Sequence, residues 1–312
     1  MFPRLCKNVK HLIKTKAVFD VNLLWNTGST LDVQFINNPI IWNDWQKAWI
    51  AHVVTNTVMV YANINFIFHI SNSTLPTNKN CEIRISCDSS DGSYSYIGKE
   101  SADISIISSM NFGWMDAPLN HTFTYNGVSY QTPLFFDQGG YSGIGATIVH
   151  EFGHALGMLH ELQTPFGNPF RWNTNELYSY FSDPNGNNWT REQVDINIVN
   201  LINVTSNGSN FDRNSIMKYS LPSRFLINPT TNEIQDIQQI NERLSDCDKY
   251  WLQRNYPGRN IVTNCNLDNN KIDVESKPIN LFLIIFMFVF ICIILFVLYN
   301  IMNKKDEKGE KY

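Results

Sequence analysis

No Cys-x-x-Cys pair occurs anywhere in the chain. Its six cysteines, Cys6, Cys81, Cys87, Cys247, Cys265 and Cys292, follow no zinc-finger spacing, so a module of that kind is excluded. There is no basic excess either. The 24 Lys and Arg against 28 Asp and Glu leave a net charge of −4, which gives no electrostatic footprint for nucleic acid. The N-terminal stretch MFPRLCKNVKHLIKTK is basic, but it lacks an apolar run of signal-peptide length and a small-residue cleavage site. A secretory signal is therefore not expected. No internal repeat is present. What remains is a chain of 312 residues, long enough for one large domain or two small ones, with 43% hydrophobic residues to pack a core.

The cysteines bear on compartment. Cys81 and Cys87 flank EIRIS, which reads as a strand. At about 3.3 Å per residue its ends lie too far apart to bridge. A Cys247–Cys265 bridge fits the spacing, but reduced thiols are the preferred reading, which points to a reducing compartment.

Near the other end, Leu281 to Tyr299 (LFLIIFMFVFICIILFVLY) has no charge and no helix breaker. As a helix it spans roughly 28 Å, the thickness of a bilayer core, and is expected to be a transmembrane anchor. The tail NKKDEKGEKY carries four lysines against three acids, which puts the tail in the cytoplasm and the domain outside. The missing signal argues for a tail-anchored protein with a cytosolic domain, and that orientation is preferred. Sequons at Asn72, Asn120, Asn188, Asn203 and Asn207 favour the first orientation, though an Asn-rich chain makes sequons by chance.

The composition divides the chain. Residues 1–18 form a short basic segment, 19–257 the folded domain, 258–278 a polar, Asn-rich flexible linker, 279–301 the transmembrane helix and 302–312 a charged tail. Inside the domain, Trp42, Trp45, Trp49 and Val53 recur at helical spacing, predicting a helix over 42–61. Residues 65–69, 81–86 and 105–112 read as strands, the last ended by Gly113. Strands and helices together predict an α+β domain.

The segment His150 to Pro165, HEFGHALGMLHELQTP, carries the chemistry. His150 and His154 lie one helical turn apart and can aim two imidazoles at one cation. Glu151 sits about 100° round the helix, where a carboxylate can take a proton from an attacking water. His160, six residues on, could not join them along a continuous helix, so the chain must turn. Gly157 is where it can, because glycine accepts positive φ at a helix end. Three protein ligands leave a fourth position open, as catalytic zinc sites require. His11, His52, His69 and His121 have no such pattern and read as ordinary residues.

HEFGHALGMLHE resembles the metzincin zinc-protease signature. SIMKY, Ser215 to Tyr219, is similar to the Met-turn of that clan, with Met217 beneath the metal. Tyr219 two residues after the methionine resembles astacins and also serralysins, and Glu161 after the third histidine resembles the astacin group. So do LWNTGSTLDVQF, YANINFIF, EIRISCD, GSYSYIG, SMNFGWMD and LSDCDKYWLQRNYP, extending the resemblance over about Val21 to Pro257.

The resemblance implies a metzincin-like fold: a twisted mixed sheet, a central zinc-binding helix and an irregular C-terminal subdomain. It implies an endopeptidase with one catalytic Zn²⁺ on His150, His154 and His160, Glu151 as general base and Tyr219 supporting the oxyanion. Protein or peptide substrates and the membrane are the expected partners. Ser109 to Gly113 would be the exposed edge strand that pairs with substrate; the alternative is an internal strand. In secreted astacins a propeptide is removed and the new N-terminus pairs with the glutamate after the third histidine. Here little chain precedes residue 19, and the partner of Glu161 is left open between that pairing and a structural salt bridge. The rival function is a catalytically silent, membrane-anchored zinc-binding or structural protein.

Overall fold

The computed structural model describes residues 19–39, 42–70, 80–88, 91–113, 121–132, 136–137, 140–141, 143–164, 170–184, 188–201, 210–218, 221–234, 241–261 and 265. Its elements run β1 (Thr30–Pro39), α1 (Asp44–Asn56), α2 (Val58–Tyr61), β2 (Asn65–Phe68), β3 (Ile83–Cys87), β4 (Tyr94–Ser95) and β5 (Met110–Asn111). A hairpin follows, β6 (His121–Tyr125) and β7 (Val128–Thr132), then the short pair β8 (Phe136–Asp137) and β9 (Gly140–Tyr141). The zinc-motif helix is α3 (Ile144–Ala155). Beyond it come β10 (Arg171–Trp172), α4 (Thr174–Phe181), α5 (Arg191–Val194), β11 (Leu226–Ile227) and α6 (Asp246–Asn255).

Leu31, Val33 and Phe35 alternate along β1 and are all buried, which fixes the strand's register against the core. The strand pairs in parallel with β2 on one side and β3 on the other. Beyond β3 lies β5, again parallel, and then β4, antiparallel, so the sheet order is β2-β1-β3-β5-β4. This is the mixed sheet expected from the sequence.

One expectation needs correcting here. The strand read over residues 105–112 contracts to Met110–Asn111, and it is not an edge. Arg84 explains the contraction. Its guanidinium donates to the carbonyls of Cys81, Asp103 and Ile106 at 2.7, 2.7 and 2.9 Å, holding residues 103–106 in a turn whose carbonyls would otherwise lack partners. Asn111 explains the covering. Its side chain accepts from Ser86 and Asp88 and donates to the carbonyls of Asp88 and Gly92, so the chain folds back and β4 closes over β5.

The predicted helix over 42–61 is two helices. Thr57 separates them, its hydroxyl donating to the carbonyl of Val53 at 2.6 Å, a local bond that competes with the helical ladder. Trp42, Trp49 and Val53 are buried as their spacing predicts, and Trp42 meets Phe35 edge-on. The hairpin β6–β7 turns at Asn126-Gly127, both at positive φ, as a tight two-residue turn demands.

Among the described residues two main apolar clusters result, beside a small one of Ile97 and Leu159. The larger joins β1, α1 and α3 through residues such as Val33, Ile50, Phe66 and Phe152. The smaller, after the zinc motif, gathers Leu162, Leu177, Phe181, Trp189 and Phe225 among short elements. It lies after α3 in the chain, where the resemblance implied an irregular C-terminal subdomain.

The cysteine reading is also corrected. Cys247 and Cys265 form a disulfide, while Cys81 and Cys87 are buried thiols. Arg259 also folds onto the domain, donating to the carbonyl of Met59 and to Asn65. Arg259 and Cys265, both within the segment read as linker, are thus tied to the domain. Among the described residues no helix is long and apolar enough to cross a membrane. The expected transmembrane helix over 279–301, the tail and the basic segment 1–18 lie outside the described residues.

Candidate metal centre

The end of α3 is buried on every side, so its last carbonyls cannot turn to water. Gly157 resolves this. At φ +93° it reverses the chain, and the N–H groups of Gly157 and Met158 return to the carbonyls of His154 and Gly153 at 2.8 and 2.9 Å. That is the paired closure of a Schellman motif. The next two carbonyls go to distant side chains. Trp25 donates its indole N–H to Ala155 at 2.8 Å, and Tyr256 its hydroxyl to Leu156 at 2.9 Å. The turn expected at Gly157 is therefore present, and it brings the chain back to His160.

His150, His154 and His160 converge as the spacing requires. Their candidate ligand atoms all lie within 4.8 Å of one another. His150 Nδ1 sits 2.8 Å from the Ile216 carbonyl and His154 Nδ1 sits 2.7 Å from that of Met158. A carbonyl only accepts, so each Nδ1 carries the proton and each Nε2 presents a lone pair. His154 Nε2 comes within 3.0 Å of His160 Nε2.

Burial keeps the rings neutral. It pushes His150 down to about 4 against the mild opposition of the Ile216 carbonyl. It pushes His154 down to about 3, with help from His150. His160 falls well below the usual range, through burial first and then the two neighbouring rings. Neutral imidazoles, those of His150 and His154 with fixed tautomers, and converging Nε2 atoms fit Zn²⁺, which prefers imidazole nitrogen and three protein ligands at a catalytic site.

Glu151 lies fully buried beside His150 on α3. Met217 runs beneath the same helix. A Cβ on Gly153 would come within 2.8 Å of its sulfur, so the glycine inside HEFGH is what lets the methionine approach. Tyr219 lies outside the described residues.

Glu161 is buried, and its carboxylate accepts from the backbone N–H of Asp212 at 2.7 Å, while its own N–H donates to the Met217 carbonyl. Burial raises the Glu161 carboxyl well above the usual range, against the pull of the Asp212 N–H. Asp248, on α6, is pushed up to about 6 by burial and then by Asp212.

Gly153, Asp212 and Asp248 were not marked by the sequence reading. For Asp248 a signal existed. Ser245-x-x-Asp248 is a capping-box spacing, and Ser245 does cap α6, accepting from Asp248 N at 2.9 Å. Gly153 shows only as a small residue between two ligands.

No protein-family model matches the sequence, and no curated protein sequence matches it. Among solved structures, myroilysin is similar with a TM-score of 0.55 and 29% identity, over 77% of this chain and 98% of that one. A crystal structure of myroilysin gives 0.47 and 28%, over 76% and 86%. High choriolytic enzyme 1, a hatching enzyme zinc-protease from Oryzias latipes (medaka), gives 0.45 and 17%, over 78% and 100%. The first of these likenesses spans nearly the whole of the other chain, so the zinc helix, its glycine turn and the methionine beneath belong to a shared fold and not to a motif met by chance. Together with the three-histidine site, the first likeness supports an astacin-like zinc metalloendopeptidase of the metzincin clan.

Proposed function

We propose that the chain cleaves extended segments of protein substrates, with Glu151 as general base, at the surface of a membrane to which its C-terminal apolar run tethers it. The observation that carries the catalytic part is the convergence of three neutral, buried imidazoles, two from the helix that also bears Glu151 and one from beyond its glycine turn. Zinc held there supplies Lewis acidity, polarising the scissile carbonyl and acidifying water. The residues of this chain do the rest. Glu151 takes the proton from the attacking water and returns it to the leaving amine. Tyr219 donates its phenolic proton toward the developing oxyanion. Substrate lies extended along the outer side of β4, the terminal strand of the sheet and a neighbour of α3.

For location, the apolar run Leu281–Tyr299 supports a single membrane span. The Cys247–Cys265 disulfide supports an oxidising surrounding for the domain, in line with a cytoplasmic lysine-bearing tail and against a cytosolic domain.

Two experiments test this. The full chain, purified in detergent with zinc, is expected to cut an unfolded protein. The activity should vanish with a chelator, return with zinc and be absent from Glu151→Ala. Full cutting by Glu151→Ala would sink the assigned base, and no cutting by the zinc-loaded wild type would favour the silent binding protein. Carbonate extraction of expressing cells should leave the chain in the membrane fraction, and deletion of residues 281–299 should release it. Release of the intact chain would refute the tether.

A further inference from the structure

The imidazole of His150 is oriented by a carbonyl sixty-six residues away, that of Ile216. A carbonyl can orient a ligand only if its own peptide plane is fixed. That plane also contains the N–H of Met217. The N–H donates to Ser215 Oγ at 3.1 Å, and Ser215 Oγ donates to Asp248 Oδ1 at 2.7 Å. The peptide before it is held as well, since Ile216 N–H donates to Asp248 Oδ2 at 2.8 Å. Both oxygens of one buried carboxylate thus converge on the turn that faces the metal ligand.

Asp248 is itself held at the start of α6. Its N–H goes to Ser245 Oγ, Ser245 N–H returns to Asp248 Oδ2 at 2.9 Å, and Ser245 Oγ donates to Asp212. A helix cap would need only the Ser245 contacts. The further two bonds, to Ser215 and Ile216, are not required for capping and are spent on the turn.

We infer that Asp248 is a positioning residue for the zinc site, acting through Ser215 and the Ile216–Met217 peptide to aim His150. The inference rests on the zinc reading of the three histidines. Removing such outer partners characteristically lowers metal affinity by about 10- to 100-fold.

The test uses the full chain and reads zinc affinity by competition with a chromogenic chelator, the visible spectrum of the cobalt-substituted protein, and the melting temperature. Ser215→Ala cuts the relay but leaves Asp248 and its helix cap in place. Asp248→Asn keeps one acceptor oxygen and loses the other. Cys265→Ser removes the neighbouring disulfide and touches no bond of the relay. Ser215→Ala and Asp248→Asn are expected to weaken zinc binding at least tenfold and to change the cobalt spectrum. Cys265→Ser should melt lower yet bind zinc within about twofold of wild type, as expected of a change outside the metal's outer partners. Unchanged zinc affinity and cobalt spectrum in Ser215→Ala would overturn the proposal. So would an equal loss of affinity in Cys265→Ser, because binding would then follow stability alone. If Asp248→Asn does not fold, Ser215→Ala decides. Failure of the zinc reading itself looks different: wild type would bind no stoichiometric zinc, or His154→Ala would bind it as well as wild type.

Discussion

His154 donates its Nδ1 proton to the carbonyl of Met158, 2.7 Å away, across the turn centred on Gly157. The same reversal that frees the chain to bring His160 back therefore supplies the group that orients the preceding ligand. Helix termination and ligand tautomer are one structural event here. This makes Gly157 a functional position although it carries no side chain.

Gly157→Ala should show that coupling. An L-residue at φ +93° is strained, at a cost of about 1–2 kcal/mol, and the added Cβ would also meet Leu24 at 2.9 Å. The expected result is a lower melting temperature together with weaker zinc binding, read on the same protein by chelator competition. A lower melting temperature with wild-type affinity would separate the turn from the site.

Gly153→Ala should act from below. The new methyl would press on the Met217 sulfur within the buried core, and overpacking of this kind costs about 1–3 kcal/mol. Shortening the methionine makes room, so Gly153→Ala combined with Met217→Ala should be more stable than the sum of the two single changes predicts. Strict additivity in a double-mutant cycle would argue that the two side chains do not meet.

The pH dependence has a definite sign for the ligands. His150 is neutral in the folded metal-free chain down to about pH 4, whereas in the unfolded chain it protonates near its ordinary value of 6.5. Between those values the unfolded state binds more protons, so this residue's contribution to stability is intact above 6.5 and is lost as pH falls toward 4. The buried carboxyls Asp248 and Glu161 shift upward and act in the opposite direction. The histidine contribution is isolated by comparison: metal-free wild type minus metal-free His150→Gln, melted across pH 6.5 to 4. The difference in melting temperature should fall steadily with acidification. A flat difference would mean that the ring is not held neutral.

Much of the site was legible because its constraints are local. The spacing of His150 and His154 within one helix and the glycine needed before His160 follow from short-range geometry, while the methionine of SIMKY was implied by the resemblance. The relay from Asp248 to Ile216 joins segments thirty-two residues apart, and a capping-box spacing reveals only its local half. The disulfide was misjudged for a similar reason. The spacing of Cys247 and Cys265 does not show that the segment lies against the domain, where Arg259 meets the Met59 carbonyl two hundred positions away. The split of the expected helix at Thr57 was closer to readable, since a β-branched hydroxyl residue can bond back to the preceding turn.

The edge of the sheet offers the sharpest test of substrate binding, because the sequence pointed to the wrong strand. Residues 109–112 are fully buried between β3 and β4, so a substrate that adds to this end of the sheet would use β4. Tyr96 donates its N–H inward, to the Ser109 carbonyl at 2.9 Å, and strand alternation turns the N–H of Ser95 the other way. Proline is tolerated on an edge strand where the N–H it removes faces outward. Ser95→Pro should therefore leave the ladder to β5 intact while deleting one bond to substrate, worth about 0.5–1.5 kcal/mol, or roughly threefold to tenfold in kcat/KM. Zinc affinity and the circular dichroism spectrum should match wild type. Unchanged kcat/KM in a properly folded Ser95→Pro would mean that substrate does not pair with β4, and the cleft would have to hold it through side chains instead.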